Sequence, residues 1–339
     1  MATRLLEPII IKNMHLNNRL VMPPMATGKA LPGGHVSPEM LAYYKEKSAG
    51  GYIGLVIIEH GHVSLEGKAS ERQLSVADDS AINGLRELAG IIHGQGSKAV
   101  MQINHAGSAT SKDIIGTVPV APSVVSNPVK NSVPRELTKE EIGGIVRAFA
   151  AAAGRVKEAG FDGVEIHSIY CYLLNQFFSP ITNKRNDEYG GDVKNRVRIH
   201  LEIVRVVRET VGQDYPVFLR LSATDGCEGG TTIEDCKVAA KALEAAGIDV
   251  LDVSGGFCGF SIPGTSREPA LAGAGNFAPL TEALKQVVSI PVILTGGIKD
   301  AKIADQLLQE GKADLIGVGR AIMSDSLWAK RAVESLRGR

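Results

Sequence analysis

Short runs of apolar, mostly β-branched residues recur along the whole chain, each separated from the next by a stretch with amphipathic-helix spacing. RLVMPP (19–24), GLVIIE (54–59), KAVMQI (98–103), GVEIH (163–167), VFLRLS (217–222), VLDVS (250–254), VILTG (292–296) and LIGVG (315–319) are the predicted strands. Their apolar residues are continuous rather than alternating, the pattern of strands covered on both faces in a parallel sheet. Between them, Thr138-Lys-Glu-Glu141 reads as a capping box. Ile142, Ile145, Val146, Phe149, Ala153 and Val156 behind it fall on one helix face. Thr231-Thr-Ile-Glu234 predicts a second box, and Gly160 and Gly247 are placed to end their helices.

Eight strand–helix units with no Pro/Gly/Ser linker predict one domain over residues 1–339, an α/β fold of the (β/α)8 TIM-barrel kind. An open doubly wound sheet is the alternative, but it rarely needs eight regular repeats. Long loops are expected after strands 3, 4 and 6, with irregular stretches at 106–137 and 257–279. Long insertions after strands belong to the C-terminal mouth of a barrel, where chemistry is built.

Composition narrows the function. Lys+Arg and Asp+Glu balance at 37 each, so no field draws nucleic acid or an anionic membrane. The four cysteines show no C-x-x-C spacing and are expected to be reduced thiols. Neither a signal sequence nor an 18-residue apolar run is present, so a cytoplasmic location without a membrane span is expected. Among the glycine pairs, Gly94-Gln-Gly96 and Gly273-Ala-Gly275 read as turns, whereas Gly317-Val-Gly319-Arg320 closes a strand and precedes a helix.

In a barrel, strand ends share one cavity. Pro23, Pro24, Met25, Ala26 and Thr27 follow the first strand, Glu59 and His60 the second, and Gln102, Asn104 and His105 the third. His167, Tyr170 and Tyr172 follow the fourth, Arg220 and Ser222 lie in the fifth, and Ser254 ends the sixth. Gly296-Gly297 and Gly319-Arg320 close the last two, where such barrels often bind phosphate on backbone N–H groups. A charged Arg220 inside a strand must be paired or face a cavity.

Several of these motifs together resemble the Old Yellow Enzyme family of FMN-dependent ene-reductases. They are NNRLVMPPMAT, QINHAG, EIHSIYCYLLNQFFSPITNKRNDEYGG, FLRLSA, ILTGG and GVGRAI, spread over essentially the whole chain. The resemblance implies FMN in the mouth of the barrel, with NADH or NADPH as hydride donor. Gln102 would face the pyrimidine edge and Arg220 the N1/O2 side. Pro24, Met25, Ala26 and His60 would line the ring, and Gly296, Gly297, Gly319 and Arg320 would hold the phosphate. It also implies that His167 and Tyr170 hold the carbonyl oxygen of an α,β-unsaturated substrate while Tyr172 donates a proton.

Two positions depart from the family pattern. Tyr170 stands where a second His or Asn is usual, and Ala26 where Cys or Thr is common, with only Thr27 nearby to replace it. The resemblance further implies a homo-oligomer, whose basic tail (Arg337, Arg339) would reach a neighbouring mouth. The iron–sulfur segment and second domain of larger relatives are not expected. The competing readings are a metal-dependent barrel hydrolase built on His60-Gly-His62, without a completing ligand set, and a non-catalytic barrel.

Overall fold

The computed structural model describes residues 3–127, 130, 132–256 and 275–338. Eight parallel strands close into a barrel in chain order: β1 (Leu20–Met22), β2 (Leu55–His62), β3 (Lys98–Asn104) and β4 (Gly163–Ser168), then β5 (Val217–Ser222), β6 (Val250–Ser254), β7 (Val292–Thr295) and β8 (Leu315–Gly317). The β8–β1 and β1–β2 pairings complete the circle. All eight predicted strands are present, with ends shifted by at most a few residues. The expected excursion after β6 lies outside the described residues up to residue 274, together with Cys258 and Gly273.

Helices α1 (Pro38–Ser48), α2 (Ile82–His93), α3 (Lys139–Glu158), α4 (Arg198–Val211), α5 (Ile233–Ala246), α6 (Ala278–Lys285), α7 (Ala301–Gln309) and α8 (Trp328–Arg337) surround the strands. The Thr138/Glu141 box caps α3 as predicted. The second box is displaced by one residue, to Thr232 and Asp235. The reason is local: Thr231 is tied into the preceding turn, donating its N–H to Asp225 Oδ2 at 2.6 Å and accepting from Asp225 N–H at 2.9 Å. Thr232 is therefore the first residue free to cap.

Strand periodicity divides the interior into a dry floor and a polar ceiling. Val21, Leu55, Ile57, Val100, Phe218, Val250, Ile293 and Leu315 form the lower cluster, one layer inside the barrel. An N-terminal hairpin that sequence reading missed (Ile9–Ile11 with Met14–Leu16) seals this end with Ile11, Met14 and Leu16. Two residues further along four of these strands the inward positions turn polar: Gln102, Arg220, Asp252 and Thr295. The opposite end of the barrel is therefore where a ligand can enter.

The run after β4 is mostly scaffold. Arg185 donates to the carbonyls of Pro122 (3.0 Å) and Leu137 (2.7 Å) and makes a bidentate pair with Asp187. One buried guanidinium thus fastens the loop after β4 to the loop after β3. Gly190 packs so tightly that a Cβ there would land on the Arg185 carbonyl. Gly190→Ala is expected to cost about 1–3 kcal/mol through overpacking against backbone, read as a lower urea midpoint at unchanged slope.

Candidate active site

The polar end opens into a cavity of about 510 Å³, within the size range of small-molecule and cofactor clefts. Its wall includes Pro24, Met25, Ala26, His60, Gln102, His167, Tyr170, Tyr172, Arg220, Gly296, Gly297, Gly319 and Arg320, so the residues that the resemblance assigns to flavin and substrate line one space, while Thr27, Glu59, Asn104, His105, Ser222 and Ser254 lie outside its wall. Strand order sets the layout. In an eight-stranded ring β4 lies opposite β8 and β3 opposite β7, so the His/Tyr group faces the glycine pairs across the mouth. Gln102 and Arg220 lie on the floor between.

The β4 end is strained and held. Tyr170 and Cys171 both have left-handed backbone, φ 53° and 61°, costly for side chains of this size and stable only when the surroundings over-determine it. The surroundings do so. Asn175 Oδ1 accepts from Cys171 N–H at 2.9 Å, Gln176 Nε2 donates to the Cys171 carbonyl, and Leu173 N–H donates to the His105 carbonyl at 2.9 Å. The turn leaves Tyr170 39% exposed at the rim, where Ser254 Oγ donates to its hydroxyl at 3.3 Å. It also lays the Tyr172 ring on His167, centroids 4.6 Å apart and planes 21° apart.

Burial keeps this group neutral. The His167 pKa is pulled well below the usual imidazole value by desolvation, with His60 and Arg220 adding to it. The Tyr172 phenol is pushed up to about 12 by desolvation alone. Ile169 N–H faces His167 Nδ1 at 3.4 Å.

Beneath the cavity lies an ionic layer only half visible in the sequence. Arg220 pairs with fully buried Asp252, Nε to Oδ2 at 3.2 Å. Gln102 Nε2 donates to fully buried Glu165 at 2.6 Å. Both carboxyls are raised in pKa by burial; Glu165 is pushed further by Asp252, while Arg220 opposes the rise at both. The signal that singled out Arg220, a charge within a two-sided strand, applies equally to the Glu of GVEIH and the Asp of VLDVS. Asn276, Phe277 and Lys299 also line the cavity, but no comparable pattern marks them.

Several expectations are settled differently. Thr27 does not replace a side-chain donor at Ala26: its hydroxyl donates to Glu59 Oε1 at 2.7 Å, and it is absent from the cavity wall. His105 is buried outside the cavity wall, accepting from Gly107 N–H at 3.0 Å and facing Glu66 Oε1 with Nε2 at 3.8 Å. Cys227 and Cys236 are free as expected, but Cys171 is disulfide-bonded, a correction to the reading of four reduced thiols. His60 and His62 diverge because the β2–β3 register shifts between Ile58 and Gly61. His60 lines the cavity, whereas His62 bonds the Ser64 carbonyl at 3.0 Å. Among the described residues no helix is long and apolar enough to cross a membrane.

The fit to FMN can be tested on these residues. The N–H groups of Gly297, Gly319 and Arg320 donate to no acceptor among the described residues. They sit on adjacent strand ends, beside a guanidinium. A Cβ at Gly296 would strike the Asn276 side chain, so close backbone approach is built in. With one Gln102 N–H committed to Glu165, its carbonyl and second N–H remain, the complement of an imide edge. The donor set fits the phosphate and the ring edge of a flavin mononucleotide.

Comparison with known proteins agrees. The profile of the NADH:flavin oxidoreductase / NADH oxidase family matches residues 4–338. An NADH oxidase of Thermoanaerobacter brockii is 45% identical over 326 residues, which is 96% of this chain and 50% of that protein. Among solved structures, a 2-naphthoyl-CoA reductase in complex with 2-naphthoyl-CoA superposes with a TM-score of 0.92 at 31% identity, covering 99% of this chain and 53% of that one. An Old Yellow Enzyme homologue from Zymomonas mobilis superposes at 0.85 with 27% identity, covering 98% of this chain and 92% of that one. The chain thus spans about half the length of the first two relatives.

Proposed function

The chain belongs to the NADH:flavin oxidoreductase / NADH oxidase family of FMN-dependent oxidoreductases, and from that premise we propose that it reduces the C=C bond of α,β-unsaturated carbonyl compounds. The observation that carries this reading is the cavity itself: His167, Tyr170 and Tyr172 stand on one side of it, and the backbone N–H groups of Gly297, Gly319 and Arg320, which donate to no described acceptor, on the other. FMN, held by Gln102, Arg220, Gly296, Gly297, Gly319 and Arg320, would supply the two-electron hydride chemistry, with NADH or NADPH as the reductant.

The chain's own residues do the rest. His167 donates Nε2–H to the carbonyl oxygen, which becomes more basic as the enolate develops, so the bond strengthens toward the transition state. Tyr170 accepts from Ser254 and therefore keeps its own O–H for the same oxygen. Tyr172 delivers the proton to the α-carbon. Gln102 and Arg220 orient the ring edge of the cofactor, and Gly296, Gly297, Gly319 and Arg320 hold its phosphate.

The test begins with purification. A yellow protein is expected, releasing FMN on denaturation and consuming NADH or NADPH in a 2-cyclohexenone-dependent manner. A preparation that stays colourless after incubation with FMN would remove the cofactor. One that is yellow, yet oxidises nicotinamide without any response to the enone, would remove the substrate class.

A further inference from the structure

The floor of the cavity holds two acidic groups and one cation to pair with them. Glu165 on β4 and Asp252 on β6 are both fully buried, and Arg220 on β5 is nearly so. Arg220 is committed to Asp252, Nε to Oδ2 at 3.2 Å, and Thr295 Oγ lies 3.4 Å from Asp252 Oδ1. Glu165 receives much less. Its Oε2 accepts one neutral N–H, from Gln102 at 2.6 Å, and its Oε1 meets no donor among the described residues. A carboxylate with a bare oxygen in a dry layer is costly, and a group so placed sheds its charge by holding a proton.

The groups around Glu165 do not remove that cost. Burial pushes its pKa up and Asp252 adds to the rise, while Arg220 on β5 and Gln102 on β3 oppose it without cancelling it. His167, two residues along the same strand, is kept neutral by burial. The register partner of Glu165 on β5 is Phe218, part of the apolar floor.

We infer that Glu165 is a neutral acid at neutral pH and the proton store of the cavity floor, binding or losing one proton according to the charge held above Gln102 and Arg220. Both of those residues line the cavity, so a negative charge placed there lies close enough to raise the proton affinity of Glu165. The inference rests on the FMN of the family and not on the proposed substrate class. Two electrons and one proton, transferred together from NADH or NADPH, add one negative charge to the bound cofactor. Where alkaline pH has emptied Glu165, its carboxylate then takes one proton from water and becomes the acid. Cofactor and floor together keep their net charge.

The test uses the FMN-loaded full chain and two readouts. Infrared spectra of the oxidised protein at neutral pH are expected to show a buried carboxylic-acid C=O band that disappears in Glu165→Gln and on raising the pH. Glu165→Gln keeps the size of the side chain and an oxygen for the Gln102 N–H. Spectroelectrochemistry should show the midpoint potential falling twice as steeply with pH above the point where the band disappears as below it. Two protons instead of one accompany two electrons there. Glu165→Gln should keep the shallower slope throughout. In Asp252→Asn, which removes the neighbouring negative charge, the loss of the band and the change of slope should move together to lower pH. A wild type without the Glu165-dependent band overturns the inference, as does a doubled slope that survives in Glu165→Gln. Yellow protein with the band but a single slope overturns the inference alone, whereas a preparation that binds no FMN would overturn the flavin reading with it.

Discussion

Replacing Tyr172 with phenylalanine is expected to slow reoxidation by 2-cyclohexenone about 10²- to 10⁴-fold, the usual weight of a positioned general acid. Reduction by NADH or NADPH should stay close to the wild-type rate. The split follows from what the substitution removes. Phenylalanine preserves the ring stacked at 4.6 Å on His167 and the edge contact with His60, so only the O–H is lost. A phenol whose pKa burial has raised to about 12 holds its proton through the neutral range. The wild-type oxidative half-reaction should therefore show no loss of its acid until strongly alkaline pH. Stopped-flow measurement of the two half-reactions separates the cases. Equal slowing of both would mean that the side chain shapes the pocket and donates nothing.

The barrel was legible because its signal is repeated. Eight apolar runs at regular spacing leave few alternatives, and VFLRLS and VLDVS became strands with the boundaries read from sequence. The candidate site was legible for a related reason: barrel strands end at one mouth, so polar residues at those ends converge without any knowledge of distances. What stayed hidden depends on partners remote in sequence. III and MHL carry no strand signature longer than three residues, and only the open floor of the barrel makes them a hairpin plug. Gln73 reaches His60 from a loop with no motif at all. The displaced capping box shows the same limit locally, since TTIED offers two overlapping solutions and a tertiary contact from Asp225 to Thr231 chooses between them.

The residue with the most at stake for both fold and site is Arg220. Replacing it with methionine removes the cation from a layer that also contains Asp252 and Glu165, each fully buried. Breaking a buried pair from one side costs about 3–5 kcal/mol, because the remaining charge has no partner. The cost should depend on pH with a definite sign. Burial already holds both carboxyls above their ordinary range, and the Arg220 charge is what limits that rise at each. Without it they retain protons to higher pH than in the unfolded chain. The folded variant then binds more protons than the unfolded one, and its stability falls as pH rises from the ordinary carboxylate range toward the raised values. Urea titrations across that window should show a steeper decline for Arg220→Met than for the wild type. Arg220→Met combined with Asp252→Leu should recover most of the lost stability, since replacing both partners of a buried pair is often nearly neutral. FMN retention should not recover with it, because the cation at the floor of the cavity is still missing. If stability and FMN retention return together, Arg220 serves the fold alone and the cofactor is held from the rim.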